Sequence, residues 1–312
     1  MEGEHEAMTE HSFGGSWTDD KLNRLAKYLA AHRQIFTTNE KARHFTTWYV
    51  DAFAGTGSRS TQDATNSEPG LFDDVYNDLD TAEYRDGSAL IALKLASPFD
   101  RYLFIDKSKA HVNGLKGTVE TDHKNLLSRC TFQHGDANSL LRSWCGERNW
   151  KKDRAVVFLD PFGMQVEWST IEALGATKAI DLWYLFPLGM GVMRLLTRDG
   201  KIDESWQKRL DVSLGTDGWR DWFYKKTAQA EMQFDAHEPL ESENPGSLER
   251  DATEENIREF IEARLKGCFA EVAVGRVLRN SKSFPLYLLC FAVANAKGAP
   301  TALKIAQHIL RQ

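Results

Sequence analysis

The chain has 312 residues, enough for a full hydrophobic core in one large domain or two modest ones, and its 42% apolar and 27% charged content is ordinary for a globular protein. A net charge of -6 excludes a globally basic protein, so any nucleic-acid contact must come from a local basic surface. The start MEGEHEAMTEHSFGGS lacks the apolar stretch of a signal peptide, and no apolar run approaches the ~20 residues that span a bilayer, so a cytoplasmic protein without a membrane partner is expected.

Residues 1–15 read as a disordered N-terminus. TDDKLNRLAKYLAAHRQIF then predicts a helix, with Thr18 as N-cap and Asp19 and Asp20 in the first turn. Leu22, Leu25, Ala26 and Leu29 recur at helical spacing and give it one buried face. Lys21, Arg24, Lys27 and Arg33 make the other face basic, and a solvated surface is the expectation for it. His5, His11 and His32 have no metal-ligand spacing and read as surface residues.

Strand one lies in WYVDAFAGTGSR, residues 48–59, where an apolar run ends on Asp51 and enters the turn Gly55-Thr56-Gly57. Glycines without Cβ atoms let a ligand approach the backbone closely. Residues 60–85 are polar, contain Pro69-Gly70 and read as a long loop or insertion; Ser88 then caps the helix SALIALKLA. Strand two is Arg101–Asp106, followed by a helix from Lys109 to about Glu120. Strand three is Cys130–His134, followed by Asp136 and a helix through Leu140, Leu141 and Trp144. Strand four, Ala155–Asp160, runs into Pro161-Phe162-Gly163; a short helix, Ser169–Leu174, and strand five, Ile180–Phe186, come next.

Residues 189–241 change character, being rich in Trp, Arg, Lys and Asp with helical pieces, and read as a helical insertion dividing a core of residues 16–188 and 242–312. Its bases are interleaved with Trp206, Trp219, Trp222 and Tyr224, which suits phosphate contact and base stacking, yet equally a charged surface over an aromatic core. Thr253 caps a helix stopped by Gly267. Strands Phe269–Leu278 and Phe284–Ala294 follow, and Pro300–Leu310 is the last helix. The four cysteines, Cys130, Cys145, Cys268 and Cys290, form no CxxC pair and no zinc spacing; they read as reduced thiols, with Cys268 and Cys290 in the core and no metal.

Strand–helix alternation predicts a doubly wound α/β protein with a parallel sheet. The last two strands lie too close for a helical crossover and should form an antiparallel hairpin at the sheet's edge. This is the seven-stranded, Rossmann-like arrangement of class I S-adenosylmethionine-dependent methyltransferases, and acids recur where that chemistry needs them. Asp51 with the backbone of Phe53, Ala54, Gly55, Thr56 and Gly57 would hold the amino-acid end of S-adenosyl-L-methionine. Asp106 would accept both ribose hydroxyls, and Asp136 the adenine amino group, with Lys107 and Ala137 flanking the base. Asp160, Pro161 and Phe162 would face the methyl group. Each acid could instead cap a turn or helix. A P-loop, a GxGxxG fingerprint and a Gly-x-Ser-x-Gly elbow are all missing.

YVDAFAGTG, LFIDKS, QHGDAN, VFLDPFG, DLWYLFP and PLYLLCFA together resemble the three-Cys-motif partner (TcmP) family over nearly the whole chain. The resemblance implies a methyltransferase-like fold and a radical-SAM-like three-Cys-motif protein as partner. Amino-methyltransferases acting on nucleic-acid bases carry Asp/Asn-Pro-Pro-Tyr/Phe at strand four. Asp160 and Pro161 match that pattern, while Phe162 stands one position early and Gly163 takes the aromatic's place. Methyl transfer to an amino group of a nucleic-acid base is therefore the leading expectation. The alternative is a methyltransferase-like accessory protein that works through the partner without transferring a methyl group itself.

Overall fold

The computed structural model describes residues 16–57, 87–226 and 248–312. Residues 1–15, expected to be disordered, residues 60–85, expected to be a long loop or insertion, and residues 227–241, expected to end the helical insertion, lie outside the described residues.

The sheet follows the predicted order. Strands β1 (Thr46–Asp51), β2 (Arg101–Asp106), β3 (Cys130–His134), β4 (Asp153–Leu159) and β5 (Ile180–Phe186) are parallel and arranged 3-2-1-4-5. A long strand near the C-terminus, Pro285–Val293, inserts antiparallel beside β5, with Leu288 opposite Phe186 and Val293 opposite Asp181. Beyond it lie two short strands, Glu271–Val272 and Arg276–Arg279, both antiparallel to it. The expected single strand Phe269–Leu278 is thus broken at Ala273–Gly275, which raises the sheet to eight strands. The order, with its reversed penultimate strand, is that of the class I methyltransferase sheet.

Helices cover both faces because the inner parallel strands β1, β2, β4 and β5 bury apolar residues on both sides, whereas the edge strand β3, CTFQH, is only partly buried. On one face lie α1 (Ser16–Thr38), α2 (Ser88–Leu93), α3 (Lys109–Asp122) and the last helix, Ala299–Arg311, over a core that includes Tyr49, Phe104, Phe158 and Trp183. On the other lie α4 (Ala137–Glu147), α5 (Trp168–Ala176), α6 (Glu204–Leu214) and the helix Glu254–Lys266, over Val50, Val157, Leu182 and Tyr184. After β5 come a π-helical turn, Leu188–Val192, then α6, a short helix α7 (Trp219–Phe223) and a two-stranded ladder of Tyr224–Lys226 with Leu248–Arg250. Trp219, Phe223 and Tyr224 are buried here, so these aromatics form core, while Trp222 stays half-exposed. No helix among the described residues is long and apolar enough to cross a membrane.

Helix α1 departs most from the sequence reading. It begins at Ser16, so Thr18 is inside it and not its cap. Its basic face is buried and tied down, not solvated. Arg24 donates to the Ile309 carbonyl and pairs with Asp20, Arg33 donates to Thr47 Oγ1, and Lys21 pairs with Asp160. Of the four bases only Lys27 is exposed. His32 is buried as well, between the rings of Phe36 and Phe99, and burial with the neighbouring Arg33 charge lowers its pKa to about 3. Trp17, near the start of α1, stacks on Tyr287 at 5.2 Å, beside the carboxyl end of β5, whereas Tyr28 donates to Asp181 at 2.7 Å near the start of β5. Helix α1 therefore runs along the sheet face from its carboxyl edge to its amino edge. Cys145 and Cys290 are buried, but Cys130 and Cys268 are only partly so, and all four are free thiols.

Candidate functional site

The carboxyl edge of the parallel strands collects the predicted acids. In a doubly wound sheet this edge, near the switch between β1 and β4, is where ligands bind. Asp51, Asp106 and Asp160 end or follow β1, β2 and β4, and Asp136 follows β3.

Asp106 stitches the glycine turn to the sheet. Its Oδ2 accepts the Gly55 N–H at 2.9 Å, its Oδ1 accepts the Ser108 N–H at 2.7 Å, and His111 Nδ1 lies 3.2 Å from Oδ1. The Ala54 N–H donates to the Ile105 carbonyl at 3.0 Å. Both turn glycines have positive φ, +59° at Gly55 and +80° at Gly57. Around a Cβ on Gly55 there would be open space for 4 Å, whereas one on Gly57 would stand 2.6 Å from Leu115 Cδ1. Gly55 leaves room beside the backbone; Gly57 serves close approach of α2 and α3. Beside Gly55 and Asp106 runs a shallow crevice, walled by Phe104, Val112, Leu115 and Phe132, that encloses no water-sized volume. A nucleoside here would lie along a surface groove and not in an enclosed pocket.

The turn continues in space across a gap in sequence. Gly57's carbonyl accepts the Gly87 N–H at 2.8 Å, and α2 starts at the next residue, Ser88. The helix that should follow a glycine turn directly is reached only after residues 58–86.

Asp51 lies deeper than the sequence suggests. It is 0% exposed. Its Oδ1 accepts the Phe53 N–H at 3.3 Å, its Oδ2 accepts the Tyr49 hydroxyl at 3.2 Å, and the Ser88 hydroxyl also reaches it. Burial pushes its carboxyl up to about 7 despite these hydrogen bonds, and the Asp160 charge pushes the same way. Asp51 thus underpins the turn from below. Thr56 and Phe53 are partly exposed in that turn, and Ala54 is buried.

Asp136 caps α4, accepting the Ser139 N–H at 2.9 Å. Burial would raise its pKa, but hydrogen bonds from Ser139 and Asn138 and the charge of Arg142 outweigh that and hold it below the ordinary value. It is exposed, as is Lys107, while Ala137 is buried in the first turn of α4.

After β4, Pro161 is buried, Gly163 turns the chain at φ +66°, and Phe162 projects outward with 68% of its surface exposed. Most of this aromatic ring thus faces solvent at the carboxyl edge. Asp160 stands beside it with its Oδ2 on the Lys21 ammonium; the two side chains are 18% and 2% exposed. Lys21 also lies 5.1 Å from the Trp17 ring centroid. Sequence reasoning missed Lys21 because only its contact partner, 139 residues away, marks it. Among the described residues no group of three or more His, Cys, Asp or Glu side chains could hold a metal.

No protein-family model matches the chain, and no curated protein does. Among solved structures it is similar to a Legionella pneumophila protein of the DUF519 family, at 11% identity and TM-score 0.48, over 96% of this chain and 92% of that one. It is also similar to an O-methyltransferase from Bacillus cereus in complex with SAH, at 12% identity and TM-score 0.36, over 86% and 80%. A third likeness is to the methyltransferase domain of bacterial CtHen1-C, at 10% identity and TM-score 0.35, over 87% and 98%. At such distances the fold class rests on the chain's own strand order.

Proposed function

We propose that this protein is an S-adenosyl-L-methionine-dependent methyltransferase whose acceptor is a nitrogen, in the leading case the amino group of a nucleic-acid base. One observation carries the reading: the Asp106–Gly55 crevice and the Asp160–Phe162 pair share one edge of the sheet. A donor crevice and an acceptor-facing acid with an open aromatic are what such a reaction needs side by side.

The residues fit the cofactor in kind. Gly55 leaves open space beside the backbone, Asp106 is 15% exposed with acceptor capacity beyond its present bonds, and Asp136 offers a carboxylate at the next strand end. Asp106 would hold the ribose diol, the Phe53–Gly57 backbone the amino-acid end, and Asp136 the adenine amino group, beside Lys107 and Ala137. Asp51 would act through the turn it supports. The cofactor supplies an electrophilic methyl group on a sulfonium. Asp160 and the Pro161 carbonyl would accept hydrogen bonds from the acceptor amine, orienting its lone pair, while Phe162 stacks on the base. An amine nucleophile needs no strong general base, because its proton leaves during or after transfer.

Calorimetry with S-adenosylhomocysteine tests the donor site, and absence of heat overturns the reading. Transfer of labelled methyl from S-adenosylmethionine to single-stranded DNA or RNA tests the acceptor. Binding without transfer, alone or with the radical-SAM-like partner that the TcmP resemblance implies, would instead assign an accessory role. Asp160→Ala should abolish transfer and spare cofactor affinity.

A further inference from the structure

The buried bases of α1 do different work. Arg24 ends on the last helix and Arg33 on β1, both scaffold contacts. Lys21 ends at the carboxyl edge, on the acid that the methyl-transfer reading gives to the acceptor. A lysine side chain presents a primary amine with three donors on a flexible four-carbon stem. Trp17 flanks that amine at 5.1 Å and is itself seated on Tyr287. Phe162, two residues after Asp160, is open to solvent. The arrangement is a carboxylate with an amine on it, an aromatic wall and an open aromatic at its side.

We propose that Lys21 is a resident stand-in for the acceptor: α1 seats its primary amine in an amine subsite at Asp160, and a substrate amine enters by displacing it. The proposal rests on the methyl-transfer reading and names the chemistry of its acceptor subsite. Asp160 lies close enough to buried Asp51 for their charges to interact. Losing Lys21 with nothing in its place would leave two neighbouring carboxylates without that compensation; an alkylammonium restores it in full, and a neutral base amino group only through its N–H hydrogen bonds. Departure of Lys21 is therefore coupled to arrival of an N–H donor, an alkylammonium above all. The subsite selects amines, and the first turns of α1 guard it.

Lys21→Ala shortens the side chain and leaves room for an added amine. Ethylammonium chloride should raise the melting temperature of this variant by at least about 3 °C over equal tetramethylammonium chloride. It should do nothing specific for the wild type or for Lys21→Ala combined with Asp160→Asn. With S-adenosylmethionine at pH 9, the Lys21→Ala variant should form N-methylethylamine, detected by mass spectrometry; the wild type and the double variant should not. In that step the sulfonium S–CH3 bond breaks, its electron pair stays on sulfur, and S-adenosylhomocysteine leaves. The bound ethylammonium first gives a proton through Asp160 to water; the lone pair so freed forms the N–CH3 bond, and the product leaves as N-methylethylammonium. If Lys21→Ala does not fold, Lys21→Met, whose side chain stops one atom short, should be stabilised by ammonium chloride and yield methylamine. Absence of amine rescue overturns the proposal. So does rescue without methylated product while S-adenosylhomocysteine still raises the melting temperature, which would make the pair structural and leave the donor site standing. If S-adenosylhomocysteine never shifts melting, the methyl-transfer reading fails and the proposal falls with it.

Discussion

Replacing Asp51 by Asn should stabilise the protein, and the gain should depend on pH. Asp51 is buried, and its carboxyl titrates near 7 instead of at the ordinary 3.8. An acid whose folded value exceeds its unfolded value favours the fold while protonated in both states, below about pH 4. That stability is lost as pH rises toward the folded value near 7 and stays lost above it. At ~1.4 kcal/mol per pH unit, the interval from 3.8 to about 7 amounts to about 4 kcal/mol. Asn is neutral at every pH, accepts the Phe53 N–H through its oxygen, and can donate to the Tyr49 hydroxyl. Urea denaturation should give Asp51→Asn an advantage of about 1.5 kcal/mol at pH 5 and about 4 kcal/mol at pH 8. Adding Asp160→Asn to both proteins should shrink the gap, because Asp160 is the like charge beside Asp51. A gap that does not widen between pH 5 and 8, or a variant less stable at pH 8, would refute the reasoning.

Phe162→Ala should leave stability within about 0.5 kcal/mol, since the ring is mostly exposed, yet weaken single-stranded oligonucleotide binding by the ~1–3 kcal/mol of one base stack, read by fluorescence anisotropy. Gly57→Ala should cost about 1–3 kcal/mol in denaturation, through a positive φ and a Cβ driven against Leu115. Asp106→Ala should abolish the thermal shift with S-adenosylhomocysteine, because it removes the carboxylate proposed to hold the ribose diol and releases the Gly55 amide from it; an unchanged shift would move the proposed donor site elsewhere.

The sheet was legible because each strand but the polar β3 is a short apolar run punctuated by an acid, a glycine or a proline, and because the interval between the last two long strands is too short for a crossover. The break at Ala273–Gly275 was not, since Glu271 and Arg276 alternate with apolar residues as in one half-buried strand, Gly275 is the one local sign of a break, and only pairing with the neighbouring strand reveals two pieces. The acids at the strand ends could be placed in sequence, but not their depth. Asp51 and Asp106 look alike in sequence, yet Tyr49 and Ser88 close over the first while the second keeps an exposed side. In α1, periodicity shows which residues share a face and says nothing about a second covered face. The last helix and Asp160, both distant in sequence, and Thr47 at the start of β1 cover it. His32 likewise carries no local sign that aromatic rings enclose it.

The contact between Gly57 and Gly87 has an engineering consequence. A carbonyl and an amide at 2.8 Å are the two ends of a β-turn, a span that two intervening residues can bridge. The chain could be rejoined there with a two-residue link, without moving the crevice or α2. The same point is a natural socket for grafting a foreign domain beside the Gly55–Asp106 crevice, because whatever is inserted begins and ends within one hydrogen bond.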